Sequence, residues 1–147
     1  MIKLFRRAKD AFQLQRGHGQ RDAASNTDER RTRTGASRAE KIKEICDLGK
    51  IHTISMRDGS LDPKRLANER KNYEIYMREA VALLRRVTDP VLRDRSVSHI
   101  IDLCINGGEE GQATVLLGLV QSDFVRREIA GKHPQLAVKQ SRQSLLA

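Results

Sequence analysis

A chain of 147 residues with 28 lysines and arginines against 19 aspartates and glutamates, a formal +9, is long enough for one ordinary domain at most and favours acidic partners: nucleic acid, anionic lipid or an acidic protein face. Its longest apolar run, VLLGLV from Val115 to Val120, falls far short of the roughly 20 residues a bilayer core requires. Aromatic residues make up 3% of the chain, too few for a stacking platform on single-stranded bases.

The first element is the amphipathic stretch MIKLFRRAKDAF. As a helix it gathers Met1, Leu4, Phe5, Ala8 and Phe12 on one side and sets Lys3, Arg6, Arg7 and Lys9 around the other. Ile2, Lys3, Leu4, Phe5, Arg6, Arg7 and Lys9 are therefore a candidate membrane-surface segment, in which apolar insertion adds to attraction for anionic lipid. The charges interrupt any secretory apolar region, whereas a mitochondrial presequence and a plain soluble helix stay open as alternatives. Residues 13–36 have one leucine, no aromatic and mixed charge, and read as a flexible Arg-rich linker unable to offset its ordering entropy. Residues 1–40 hold ten basic and five acidic side chains, more than half of the total net charge. Arg30, Arg31, Arg33 and Arg38 are the candidate nucleic-acid contacts, able to neutralise phosphates and release counterions.

A helical domain is expected over residues 37–147. SRAE has the form of a capping box at Ser37 and Glu40, the stripe Ile42, Ile45, Cys46 and Leu48 follows, and Gly49 reads as a stop. Residues 50–61 read as a connection with an extended piece. Asp62 and Pro63 then open a long amphipathic helix to about Val87, and Asp89 and Pro90 open another that ends at Asn106, Gly107 and Gly108. Glu109 and Glu110 suit a helix N-terminus, and the apolar residues from Ala113 to Val120 mark that helix as the central, most buried one. Ser122 and Asp123 cap a short helix bearing Phe124, Val125 and Ile129, terminated by Gly131 and Pro134. The expected fold is all-α: a small bundle of four or five helices, cored in its C-terminal half, behind a flexible basic N-terminal region.

Catalytic signals are absent from this pattern. His18, His52, His99 and His133 stand far apart, and Cys46 and Cys104 lack the close partners of a zinc site, so they read as buried reduced thiols of an intracellular protein. Glu109 and Glu110 are adjacent and diverge on a helix, which rules out a shared acid/base dyad. NGGEEGQ lacks a preceding strand and the GK[ST] of a phosphate loop. No enzyme activity, metal or cofactor is expected.

The start MIKLFRRAKDAF, the stretch QRDAASNTDERRTRTGASR and the helical remainder ending in IIDLCINGGEEGQATVLLGLVQSDFVRREI together resemble the small accessory C proteins of paramyxoviruses. The resemblance implies a non-enzymatic virulence factor of the host cytoplasm, peripheral at membranes through its N-terminus. Such a factor antagonises interferon signalling through host proteins of the STAT class and regulates viral RNA synthesis through polymerase components. The alternative is a basic helical nucleic-acid-binding protein of bacterial, phage or plasmid origin.

Overall fold

The computed structural model describes residues 25–57 and 59–136, with side chains from Thr34 onward. The candidate membrane-surface segment, the first half of the linker (residues 13–24) and the C-terminal residues 137–147 lie outside the described residues. Among the described residues five α-helices of eight residues or more follow one another: α1 (Ser25–Arg57), α2 (Pro63–Leu84), α3 (Pro90–Asn106), α4 (Glu110–Leu117) and α5 (Asp123–Lys132). No strand occurs among the described residues, and the all-α bundle expected from the helical spacing is what forms.

Three helix starts follow their local chemistry. The Asp62 carboxylate accepts from the backbone N–H of Lys64 and Arg65 at 3.0 Å, Asp89 accepts from Leu92 at 2.8 Å, and the Ser122 hydroxyl accepts from Val125 at 3.4 Å. Pro63 and Pro90 occupy the first turn, where a missing N–H costs nothing. At the end of α3, Gly108 takes φ +77°, a conformation open to glycine without a Cβ penalty.

The first helix departs from its expected bounds at both ends. It starts at Ser25 rather than Ser37, so Ser37 lies inside the helix and residues 25–36, assigned above to the linker, are helical. Gly35 is buried beside Leu92, so α1 already has a tertiary contact ahead of the expected cap, and just past it Arg38 Nη1 donates to the Arg86 carbonyl at 2.9 Å. At the other end Gly49 does not stop the helix. A Cβ there would stand 3.0 Å from Leu103 Cδ1 and 3.3 Å from Tyr76 Cβ, so this glycine lets α1 approach α2 and α3 closely. The next two turns stay helical because they pack: Thr53 is buried with its Oγ1 donating to the Lys50 carbonyl, and Met56 lies against the core. Tertiary burial thereby overrides the extended piece expected within residues 50–61.

The centre of the bundle is α3, not α4. Helix α3 touches α1, α2, α4 and α5, and buries Val97, Ile100, Ile101, Leu103 and Cys104. Helix α4 has eight residues and buries Leu116 and Leu117, but leaves Val115 43% exposed. A helix of two turns cannot present enough surface to organise four neighbours, however apolar its composition. Nor is the core confined to the C-terminal half, because α1 contributes Ile42, Ile45 and Cys46.

Candidate functional site

A cleft of about 640 Å³ opens between α3 and α5. Its apolar lining includes Val91, 62% exposed, and Phe124, 71% exposed. Each sits in the first turn of its helix on the side away from the buried residues, with Val97 and Ile101 holding α3 to the bundle and Ile129 holding α5.

The floor of the cleft is polar and internally satisfied. Asp94, only 2% exposed, accepts from the backbone N–H of Ser122 at 2.7 Å and of Gln121 at 3.1 Å. This carboxylate clamps α3 to the turn that starts α5, where unpaired N–H groups at a helix N-terminus favour negative charge. Sequence reading missed it, although a signal exists: Asp94 falls in the same register as Val97, Ile101 and Cys104, an acid in line with core residues. Further along the α3 wall of the cleft, Asp102 has its Oδ1 2.7 Å from His133 Nε2. On the rim the Lys132 ammonium donates to Glu128 Oε1 at 2.7 Å, which holds that carboxyl below its usual range. Arg95 adds a cation beside Glu128. His99 is half-buried, and burial pushes its pKa down.

His52 is held at the end of α1, its Nδ1 2.6 Å from Glu69 Oε2 and its ring stacked on Tyr76 with centroids 5.4 Å apart. His18 lies outside the described residues. Among the described residues no group of three His, Cys, Asp or Glu side chains could hold a metal. Both cysteines are buried free thiols, as expected. Burial pushes Cys46 up to about 12 and raises Cys104 well above its ordinary value, while Cys104 Sγ sits 4.0 Å from Met77 Sδ. A thiol so far from ionisation is a poor nucleophile.

Glu109 and Glu110 do occupy the start of α4, and Glu109 makes no capping bond there. Its carboxyl is half-buried: burial first, and the neighbouring Glu74 second, push its pKa up, with Arg70 acting the other way. A carboxyl with a raised pKa in the folded state favours folding below its unfolded value of 4.5, and that contribution is lost as pH rises through the folded value. Glu109→Gln is therefore expected to melt higher than the parent at neutral pH, with the gap closing as pH falls below the ordinary carboxylate range. Melting curves at several pH values check this, and a gap independent of pH contradicts it.

Of the candidate nucleic-acid contacts, Arg30, Arg31 and Arg33 fall in the first turns of α1 without described side chains, and Arg38 is half-buried and bonded to the end of α2. No helix among the described residues is long and apolar enough to cross a membrane. Comparison with family models, curated proteins and solved structures finds no match to this chain.

Proposed function

We propose that this protein is a non-enzymatic helical binding module whose α3–α5 cleft receives a segment of a protein partner. The observation that carries this reading is the exposure of Val91 and Phe124 along one cleft whose polar floor is already paired. Large apolar side chains in a concavity with a polar rim are the features of a docking pocket, and an apolar anchor flanked by a carboxylate for Arg95 is the partner chemistry it suits. Under the resemblance to the accessory C proteins, the segment would belong to a host signalling protein of the STAT class or to a polymerase component.

Selection from a displayed peptide library, followed by anisotropy titration of the enriched peptide, tests the reading. Phe124→Ala is expected to weaken binding about thirtyfold, as for a central anchor worth about 2 kcal/mol, and Arg95→Glu to weaken it further for peptides carrying an acid. Failure to enrich any peptide, or equal affinity for parent and Phe124→Ala, defeats it.

A further inference from the structure

The net charge of the chain is not spread evenly over the bundle. Residues 34–136 carry seventeen basic and fifteen acidic side chains, so this part of the chain is nearly neutral. Within it, residues 63–86 hold seven basic side chains against three acidic ones, and the remainder is left with ten against twelve. The positive charge of the bundle is thus concentrated on α2 and the two arginines that follow it, and the spacing decides where along them it lies. Lys64, Lys71, Arg78 and Arg85 recur every seven residues, which brings them to one side of the helix with a drift of only about 20° per step. All four are exposed, and none forms an ion pair with a described residue. Tyr73, Met77, Ala80 and Leu84 occupy the opposite, buried side. Arg85 is the C-cap residue and still helical in conformation, so the row is unbroken from end to end.

At 1.5 Å rise per residue the cations stand about 10.5 Å apart in a line of about 31 Å. Between them lie the exposed small residues Ala67 and Ala82 and the half-exposed Ile75, which leave the row unobstructed. Glu74 and Glu79 flank the row on opposite sides rather than interrupting it. The Glu69 carboxylate is turned to His52.

We propose that this outer face of α2 docks on the phosphate backbone of a nucleic-acid duplex. A rigid row of unpaired cations complements a rigid polyanion that carries one charge per about 1.7 Å of axis. The face has no aromatic side chain on which an unpaired base could stack, because Tyr73 is buried and Tyr76 is stacked on His52. It also has too little apolar surface for insertion into lipid, Ile75 being its one large apolar side chain. The docking is to backbone, without base readout, and so independent of sequence. The face is separate from the α3–α5 cleft, and its test does not depend on that cleft.

The experiment is a salt titration of the full chain on a mixed-sequence DNA duplex. It compares the parent with a variant carrying Lys64→Gln, Lys71→Gln, Arg78→Gln and Arg85→Gln, and with a control carrying Lys41→Gln, Lys43→Gln, Arg57→Gln and Arg127→Gln. All replaced side chains are exposed, and matching melting curves establish that both variants fold. Four phosphate contacts contribute about 3.6 to the slope of log affinity against log salt, or about 150-fold in affinity between 50 and 200 mM salt. The α2 variant is expected to lose that part of the slope and the control to keep it. Equal slopes for parent and α2 variant, or an equal loss in the control, overturn the proposal. So do a preference for single strands, an absence of duplex binding at low salt, and α2-dependent binding confined to anionic vesicles.

Discussion

Replacing Asp94 by alanine is expected to lower the unfolding free energy by about 3 to 5 kcal/mol, since it removes two hydrogen bonds to an ionised acceptor and leaves two backbone donors short of a partner. The donors are the N–H groups of Gln121 and Ser122, and they sit at the point where the chain turns from α4 into α5. The loss should exceed that of an exposed cap because the carboxylate is 2% exposed and water cannot readily replace it. Asp94→Asn should fall between parent and alanine: its single amide oxygen can still accept, but without charge and from fewer donors. Urea unfolding read by helical circular dichroism measures both variants, with an unchanged denaturant slope as the sign that stability alone has moved. A loss under about 0.5 kcal/mol for Asp94→Ala would place it with ordinary surface substitutions and remove the clamp from the account of α5. Because Asp94 also lines the cleft, loosening α5 should weaken peptide binding there without touching Phe124 itself.

Ile100→Ala carries the second large effect, a loss of about 2 to 5 kcal/mol, the range for truncating a fully buried aliphatic side chain. Against a typical domain stability of about 5 to 15 kcal/mol this is a large fraction. Ile100 is fully buried on the helix that touches every other helix, so the cavity cannot be relieved by shifting one neighbour alone. Leu117→Ala, in the short α4, should cost less within the same range, because α4 can settle towards α3 from its outer side, where Val115 already meets solvent. The paired unfolding curves discriminate between the two candidate centres of the bundle. A larger loss at Leu117 than at Ile100 would return the central role to α4, as its composition suggested.

The two proposed surfaces divide the molecule by chemistry. The cleft uses side chains from the first turns of α3 and α5, the helices whose caps are Asp89 and Ser122. The cationic row uses the side of α2 that faces away from the core. The N-terminal cluster of Arg30, Arg31 and Arg33 precedes the part of α1 that packs on the bundle, so a duplex held by α2 and a basic N-terminal region would add their phosphate contacts. The α2 variant keeps the N-terminal arginines, and the slope that survives in it measures their share.

What the chain determined by itself was set locally. Asp62 with Pro63, and Asp89 with Pro90, announce helix starts because a cap and a preset φ act within one turn and need no distant partner. The spacing of Tyr73, Met77, Ala80 and Leu84 marks one buried side of α2, and by the same periodicity the seven-residue recurrence of Lys64, Lys71, Arg78 and Arg85 was open to reading as one exposed side. The apolar register around Cys46 and Cys104 likewise announced two buried thiols. Tertiary structure decided the rest. Gly49 resembles a helix stop until Leu103 and Tyr76 are seen within reach of its missing side chain, and Ser37 resembles a cap until the helix is found to start at Ser25, with Gly35 buried against Leu92. The apolar composition of α4 suggested a centre, yet α3 holds that place because centrality depends on how many neighbours a helix is long enough to touch. The cleft was hidden for a related reason: whether Phe124 is core or rim depends on the helix opposite it, and periodicity along one helix carries no information about the face across the gap.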